Sequence, residues 1–176
     1  MSHFTHQTLK KTILIVDDEK NTREGLRGSL EDEYEVYVAG DIAGAQAIMQ
    51  TDQVDLLMTD LKLGAENGMD LLGRALRQPN PPVCIIMTAY GTVDSAVEAM
   101  KRGAYDFVTK PVNIDRLELL IKRALHGSEV EKENARLREQ VDKRFGLEGF
   151  VGESPAMHRV IETIRQVAPS RATVLI

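Results

Sequence analysis

Five side chains stand where chemistry can happen. Asp17 and Asp18, with Glu19 next, follow the apolar run Ile13–Val16. Asp60 closes Val54–Thr59, Thr88 closes Val83–Met87, and Lys110 follows Tyr105–Thr109. If these runs are neighbouring strands, three carboxylates meet in one crevice. Crowded anions repel, so the arrangement is costly without a cation. Oxygen-only donors suit a hard ion such as Mg²⁺, which keeps some of its waters. A lysine and a threonine aimed at the same point suit a phosphoryl group, one neutralising charge and the other donating a hydrogen bond. A carboxylate can itself accept phosphoryl as an aspartyl phosphate. Taken singly, each residue has an ordinary reading: a helix cap at Asp17-Asp18, a turn at Asp60, a β-branched strand end at Thr88, a solvated charge at Lys110. The joint placement at strand ends is what points to a site.

The positioning elements follow from periodicity. The four runs above, with Tyr34–Val38, are predicted as five strands, four of them continuous enough to be covered on both faces. Helices fill the gaps. Asn21 and Glu24 read as a capping box before Leu26 and Leu30. Asp41 can cap a helix carrying Ile42, Ala45, Ile48 and Met49. Further apolar faces are Leu71, Leu72, Ala75 and Leu76, then Val93, Ala96, Val97 and Met100, then Leu117, Leu120, Ile121 and Ala124. Strands alternating with helices predict an α/β fold, a parallel sheet between two helical layers. Such sheets hold ligands at the carboxyl ends of their strands, where the five residues lie.

Beyond Leu125 the pattern changes. Residues 126–144 carry acids and bases in equal number, with Glu139 and Lys143 at the favourable i,i+4 spacing. Val130, Asn134, Leu137 and Val141 form a narrow coiled-coil seam with one polar member. Gly127 is expected to interrupt the link to the preceding helix. After a turn at 146–149, Ser154-Pro155 reads as a helix start. Met157, Val160, Ile161, Ile164 and Val167 line one face of that helix, Pro169 ends it, and Ala172–Ile176 begins a strand. The expected organisation is a tail over 1–10, a domain over 11–126, a coiled-coil linker over 127–149 and the front edge of a second domain over 150–176.

Composition excludes several classes. The chain has 176 residues, 43% hydrophobic and 28% charged, a globular balance. No apolar run approaches a membrane span of ~20 residues, and Met1–Lys11 lacks the apolar core of a secretory signal. Cys84 alone forms no internal disulfide and holds no zinc; the cytoplasm is the expected compartment. A net charge of −5 gives no general field for nucleic acid.

The residues also match a family pattern. Ile-Leu-Ile-Val-Asp-Asp-Glu (13–19), Asp60 after Leu-Leu-Met-Thr, Met-Thr-Ala-Tyr-Gly (87–91) and Gly-Ala-Tyr-Asp-Phe-Val-Thr-Lys-Pro (103–111) resemble a bacterial response-regulator receiver domain over roughly 11–126. The resemblance implies a flavodoxin-like, doubly wound, five-stranded parallel sheet of order 2-1-3-4-5. It implies that Asp60 is the phosphoacceptor. Asp18 and Asp60 would bind Mg²⁺ directly, Asp17 would help through water, and the Lys62 carbonyl would be a third protein ligand. Thr88 and Lys110 would contact the phosphoryl group, Thr88 and Phe107 would form the switch, and Lys110–Pro111 would be cis. Two positions depart from the pattern. Gly64 replaces the usual proline four residues after the acceptor, so that loop is expected to be more flexible. Phe107 replaces a frequent tyrosine and brings no hydroxyl.

Phe-Val-Gly-Glu-Ser-Pro-Ala-Met (150–157) and Val-Ala-Pro-Ser-Arg-Ala-Thr-Val-Leu-Ile (167–176) resemble the entrance to the AAA+ ATPase domain of NtrC-type activators, which work with sigma-N. The phosphate-binding loop G-x-x-x-x-G-K-[ST] does not occur in the sequence. The chain as given is therefore expected not to hydrolyse ATP and not to bind DNA itself. The resemblance implies a sensor histidine kinase as phosphoryl donor, homodimers through the linker, and DNA and sigma-N polymerase as partners of an intact protein. The rival from another class is a Mg²⁺-dependent phosphatase with Asp60 as nucleophile. Such enzymes generally need a second acid beside the nucleophile, and Lys62 occupies the position two residues on.

Overall fold

The computed structural model describes residues 10–89, 93–145 and 154–167. The chain divides into two compact units, after Glu129. The first unit's strands are β1 (Thr12–Val16), β2 (Glu35–Ala39), β3 (Leu56–Asp60), β4 (Lys62–Leu63), β5 (Glu66–Asn67), β6 (Val83–Thr88) and β7 (Asp106–Thr109). Its helices are α1 (Lys20–Leu30), α2 (Ile42–Thr51), α3 (Gly68–Ala75), α4 (Val93–Lys101) and the start of α5 (Ile114–Phe145). Five strands form one parallel sheet of order β2-β1-β3-β6-β7. Without the short β4–β5 pair this is the order 2-1-3-4-5, with helices on both faces.

The sheet's alternation builds two cores. Leu14, Val16, Leu57 and Ile86 face a layer with Ile42, Ala45, Leu71, Leu72 and Ala99. Ile13, Ile15, Met58, Ile85 and Met87 face the other way, onto Leu26, Leu30, Leu117, Ile121 and Ala124. Every residue of β1 from Ile13 to Val16 is fully buried, as a strand covered on both faces requires. Asp41 caps α2, its Oδ1 accepting from Gly44 N at 2.7 Å.

Three local expectations need correction. The capping box at Asn21 does not form: α1 begins at Lys20 with Glu19 as its N-cap residue, and the Glu19 side chain accepts from the Thr22 hydroxyl at 2.9 Å rather than from a backbone amide. The α4 face is also different. Val97 and Met100 are 45% and 48% exposed, while Ala99 is fully buried, because the small side chain lets the helix lie close to the sheet. Gly127 interrupts nothing; α5 runs unbroken through it. A helical glycine costs only about 1 kcal/mol against alanine, and nothing lies within 4 Å of its Cβ position. The loop carrying Gly64 is an antiparallel hairpin, β4 against β5. Gly64 takes φ +60°, the sign that two-residue hairpin turns demand of their first central residue.

The second unit contains the rest of α5 and α6 (Pro155–Val167). Ser154 Oγ accepts from Met157 N at 3.2 Å, the cap its sequence predicts. Val130 and Leu137 are 53% and 48% exposed, and Asn134 is exposed. The side chains of Val141, Lys143, Ile164 and Val167, the turn at 146–149 and the strand at 172–176 lie outside the described residues. No helix among the described residues is long and apolar enough to cross a membrane.

Candidate phosphoryl and metal site

The sheet register brings the strand ends together. Val16, the residue before Asp17, pairs with Thr59, Asp60 with Met87, and Thr88 with Thr109. Asp17, Asp60 and Thr88 are buried, and Asp18 is exposed. One oxygen from each of Asp17, Asp18 and Asp60 lies within 4.8 Å of the others. The Lys110 ammonium enters the cluster from the end of β7. It pairs with Asp17 Oδ2 at 2.6 Å and also touches Asp60 Oδ2. Lys110 N donates to the Thr88 carbonyl at 2.8 Å, which fixes the lysine backbone beside the strand carrying Thr88. The Lys110–Pro111 bond is cis.

Backbone amides hold the carboxylates. Glu19 N donates to Asp17 Oδ1 at 2.9 Å, Lys62 N to Asp60 Oδ1 at 3.0 Å, and Gly64 N to Asp18 Oδ2 at 3.1 Å. The Gly64 bond would be lost to a proline, which has no N–H and cannot adopt a positive φ. The hairpin is tied at its far strand as well, where Glu66 Oε2 accepts from Ile42 N at 3.1 Å.

Electrostatics reflect the crowding. Burial pushes the Asp17 carboxyl above its ordinary pKa, and Lys110 and the Glu19 amide only partly offset it. Burial pulls the Lys110 ammonium down, but its bonds to Asp17 and Asp60 outweigh this and hold it above the usual lysine value. Asp17 Oδ2 is buried and has no aligned hydrogen-bond donor among the described residues. A buried carboxylate oxygen met only by an ion pair, beside two more carboxylates, fits a hard divalent cation.

Phe107, on β7, is partly buried against the core that contains Ile86 and Ala99. Two residues that sequence reasoning passed over shape the site. Arg23 donates from its guanidinium to the carbonyls of Asp17 and Asp18. Gly68, read from the sequence only as punctuation, begins α3 against the acidic strand end: a Cβ there would stand 1.9 Å from the Asp60 carbonyl oxygen. A glycine eight residues after a strand-end acid was the available signal.

A parallel sheet of this order, with acids and a lysine at its carboxyl edge, defines a receiver-type fold. The chain belongs to the response regulator receiver domain family, whose model matches residues 13–122. It is similar to the alginate biosynthesis transcriptional regulatory protein AlgB of Pseudomonas aeruginosa, 41% identical over 93% of this chain and 36% of that protein. Among solved structures it resembles NtrX from Brucella abortus in complex with ADP, with TM-score 0.72, 33% identity and coverage of 92% of this chain and 35% of that one. It also resembles the beryllofluoride-activated NtrC4 receiver domain dimer in solution, with TM-score 0.63, 30% identity and coverage of 66% and 98%. The chain thus spans about a third of the length of the curated relatives it matches. These similarities support the receiver resemblance of the sequence and give none to the phosphatase alternative.

Proposed function

We propose that this chain is the phosphoryl-accepting switch of a two-component, sigma-N-dependent transcription activator, with Asp60 as the acceptor. The observation that carries the reading is the meeting of Asp17, Asp18, Asp60 and Lys110 at one sheet edge. Asp18, Asp60 and the Lys62 carbonyl would hold Mg²⁺, with Asp17 acting through water. Bound there, Mg²⁺ supplies charge neutralisation for phosphoryl oxygens. An Asp60 oxygen forms the new P–O bond while the donor's bond to phosphorus breaks, a P–N bond for a sensor histidine kinase. The leaving imidazole keeps the electron pair and is reprotonated from solvent. Lys110 and Thr88 then face the added negative charge, and water slowly hydrolyses the acyl phosphate. Intact-mass measurement tests this: a small phosphodonor with Mg²⁺ should add one phosphate, and a chelator should prevent it. Labelling that ignores the chelator would contradict the metal-assisted reading.

Asp18→Ala leaves too few anionic ligands for a reluctantly dehydrated ion. Metal titration should show a large loss of Mg²⁺ affinity; near-wild-type affinity would place the metal elsewhere. Lys110→Ala should remain folded and bind Mg²⁺ at least as well, since a nearby cation opposes it. It should take up phosphate without changing association state. Unfolding on that substitution would mean that the lysine serves the fold instead.

Regulation is proposed to act through Thr88 and Phe107 on the homodimer arrangement. Thr88 moves toward the phosphoryl group and Phe107 occupies the space vacated, a shift between two arrangements. The dimer forms through residues 127–145 of the linker as a parallel pair. Val130, Asn134, Leu137 and Val141 form its seam, and Asn134 fixes register. Sedimentation should show that ending the chain at Leu125, or Leu137→Lys, weakens the dimer strongly; a shortened chain that dimerises equally would move the contact to the receiver. Residues 150–176 are proposed to open an AAA+ domain. The intact protein, cytoplasmic, would hydrolyse ATP there and bind DNA and sigma-N polymerase through parts other than this fragment. The names of the relatives, which include a transcriptional regulatory protein and a receiver dimer, support this wider reading.

A further inference from the structure

Arg23 lies in the first turn of α1, where its backbone N makes the helix's opening bond to the Glu19 carbonyl at 3.2 Å. Its side chain turns back under the loop between β1 and α1. There Nη1 donates to the carbonyls of two consecutive residues, Asp17 and Asp18, the latter at 3.1 Å. Arg23 is half-buried, and its Nε is buried with no hydrogen-bond partner among the described residues. Such a placement is costly for a cation, so the two carbonyl bonds are what recommend it. Gly40, at the end of β2, makes room: a Cβ there would stand 3.2 Å from Arg23 Nη1. The same edge is fixed by Asp17 N donating to the Ala39 carbonyl at 3.1 Å.

We infer that Arg23 is a positioning residue for the metal carboxylates, gathering the Asp17 and Asp18 carbonyls so that their side chains are presented to Lys110, to the Gly64 amide and to a divalent cation. The inference rests on the reading of Asp17 and Asp18 as metal ligands. An extended chain turns successive carbonyls to opposite sides. One guanidinium nitrogen shared by two successive carbonyls instead holds the loop in a tight turn. The carboxylates on that turn then keep their bonds to Glu19 N and Gly64 N. Groups that orient metal ligands from behind typically alter affinity 10–100-fold when removed.

The charge of Arg23 predicts the opposite sign from its hydrogen bonds. Were it only a nearby cation, Arg23→Ala would tighten Mg²⁺ binding by removing repulsion. As a positioning residue it should weaken binding, by about tenfold or more. Arg23→Lys keeps the charge and at most part of the bonding, and should fall between. The experiment is Mg²⁺ titration of the full chain, wild type and both variants, with Asp18→Ala as reference. Amide hydrogen exchange is followed at Glu19 and Gly64 in the metal-free protein. The expected result is weaker Mg²⁺ binding in Arg23→Ala, intermediate binding in Arg23→Lys, and faster exchange at both amides. Both variants binding Mg²⁺ as tightly as wild type, or more tightly, would overturn the inference while leaving the metal site standing. Wild type that binds no Mg²⁺, or Asp18→Ala that binds it normally, would overturn the site reading and this inference with it. If Arg23→Ala does not fold, Arg23→Lys decides: weakened binding and faster exchange support positioning, and wild-type values overturn it.

Discussion

Asp60→Asn is expected to take up no phosphate under conditions that fully label the wild type. The amide is nearly the same size, so the end of β3 should keep its packing. What is lost is the nucleophilic oxygen pair, one of which now accepts from Lys62 N and the other of which meets Lys110. A neutral amide is a poor nucleophile toward phosphorus and a poor ligand for a hard cation. Asp17→Asn provides the contrast: it removes a carboxylate from the same cluster but leaves Asp60, so uptake should be slowed rather than abolished. Intact mass spectrometry over a time course separates the two. Equal labelling of Asp60→Asn and wild type would remove Asp60 from the acceptor role.

Gly68→Ala should be the most damaging glycine-to-alanine change among the described residues of the receiver. The added carbon would meet the Asp60 carbonyl oxygen at 1.9 Å, the Asp60 carbonyl carbon at 3.0 Å and Thr59 Oγ1 at 3.1 Å. None of the first two is a side chain that can rotate away, so α3 or the end of β3 must move. Gly68 N also donates to the Leu61 carbonyl at 2.9 Å, which ties the helix start to the segment after the acceptor. Overpacking of this kind costs about 3 kcal/mol, a large share of the ~5–15 kcal/mol of a typical domain. The melting temperature should fall by about 10 °C, and phosphate uptake should slow because the acceptor's backbone is displaced. An alanine variant that melts and labels like wild type would show that the close approach is not needed.

The sheet and its chemical edge were legible because they rest on strong, local patterns. Ile13–Val16, Leu56–Met58 and Ile85–Met87 are continuous apolar runs, and every residue in them is fully buried. Each of these runs leads to one of the polar residues that meet at the edge. The elements that differ from expectation rest on contacts that hydrophobic periodicity does not encode. The start of α1 accompanies the Arg23 side chain reaching back to the loop carbonyls, which no capping pattern encodes. The buried face of α4 differs because hydropathy favours Val97 and Met100, whereas close packing on the sheet selects Ala99. The β4–β5 hairpin is too short and polar for a periodic signal. Gly68 is marked in the sequence only by its place eight residues after a strand-end acid, and the backbone contact that requires a glycine there becomes visible only in the fold.

Phosphoryl transfer is proposed to end on the Asp60 carboxylate. Borohydride reduction after exposure to a phosphodonor and Mg²⁺ tests it most directly, because an aspartyl phosphate is reduced to homoserine while a free aspartate is untouched. Peptide mapping should find homoserine at position 60, with Asp17 and Asp18 unchanged. Homoserine at 17 or 18, or a stable phosphate that resists borohydride on another side chain, would contradict the account.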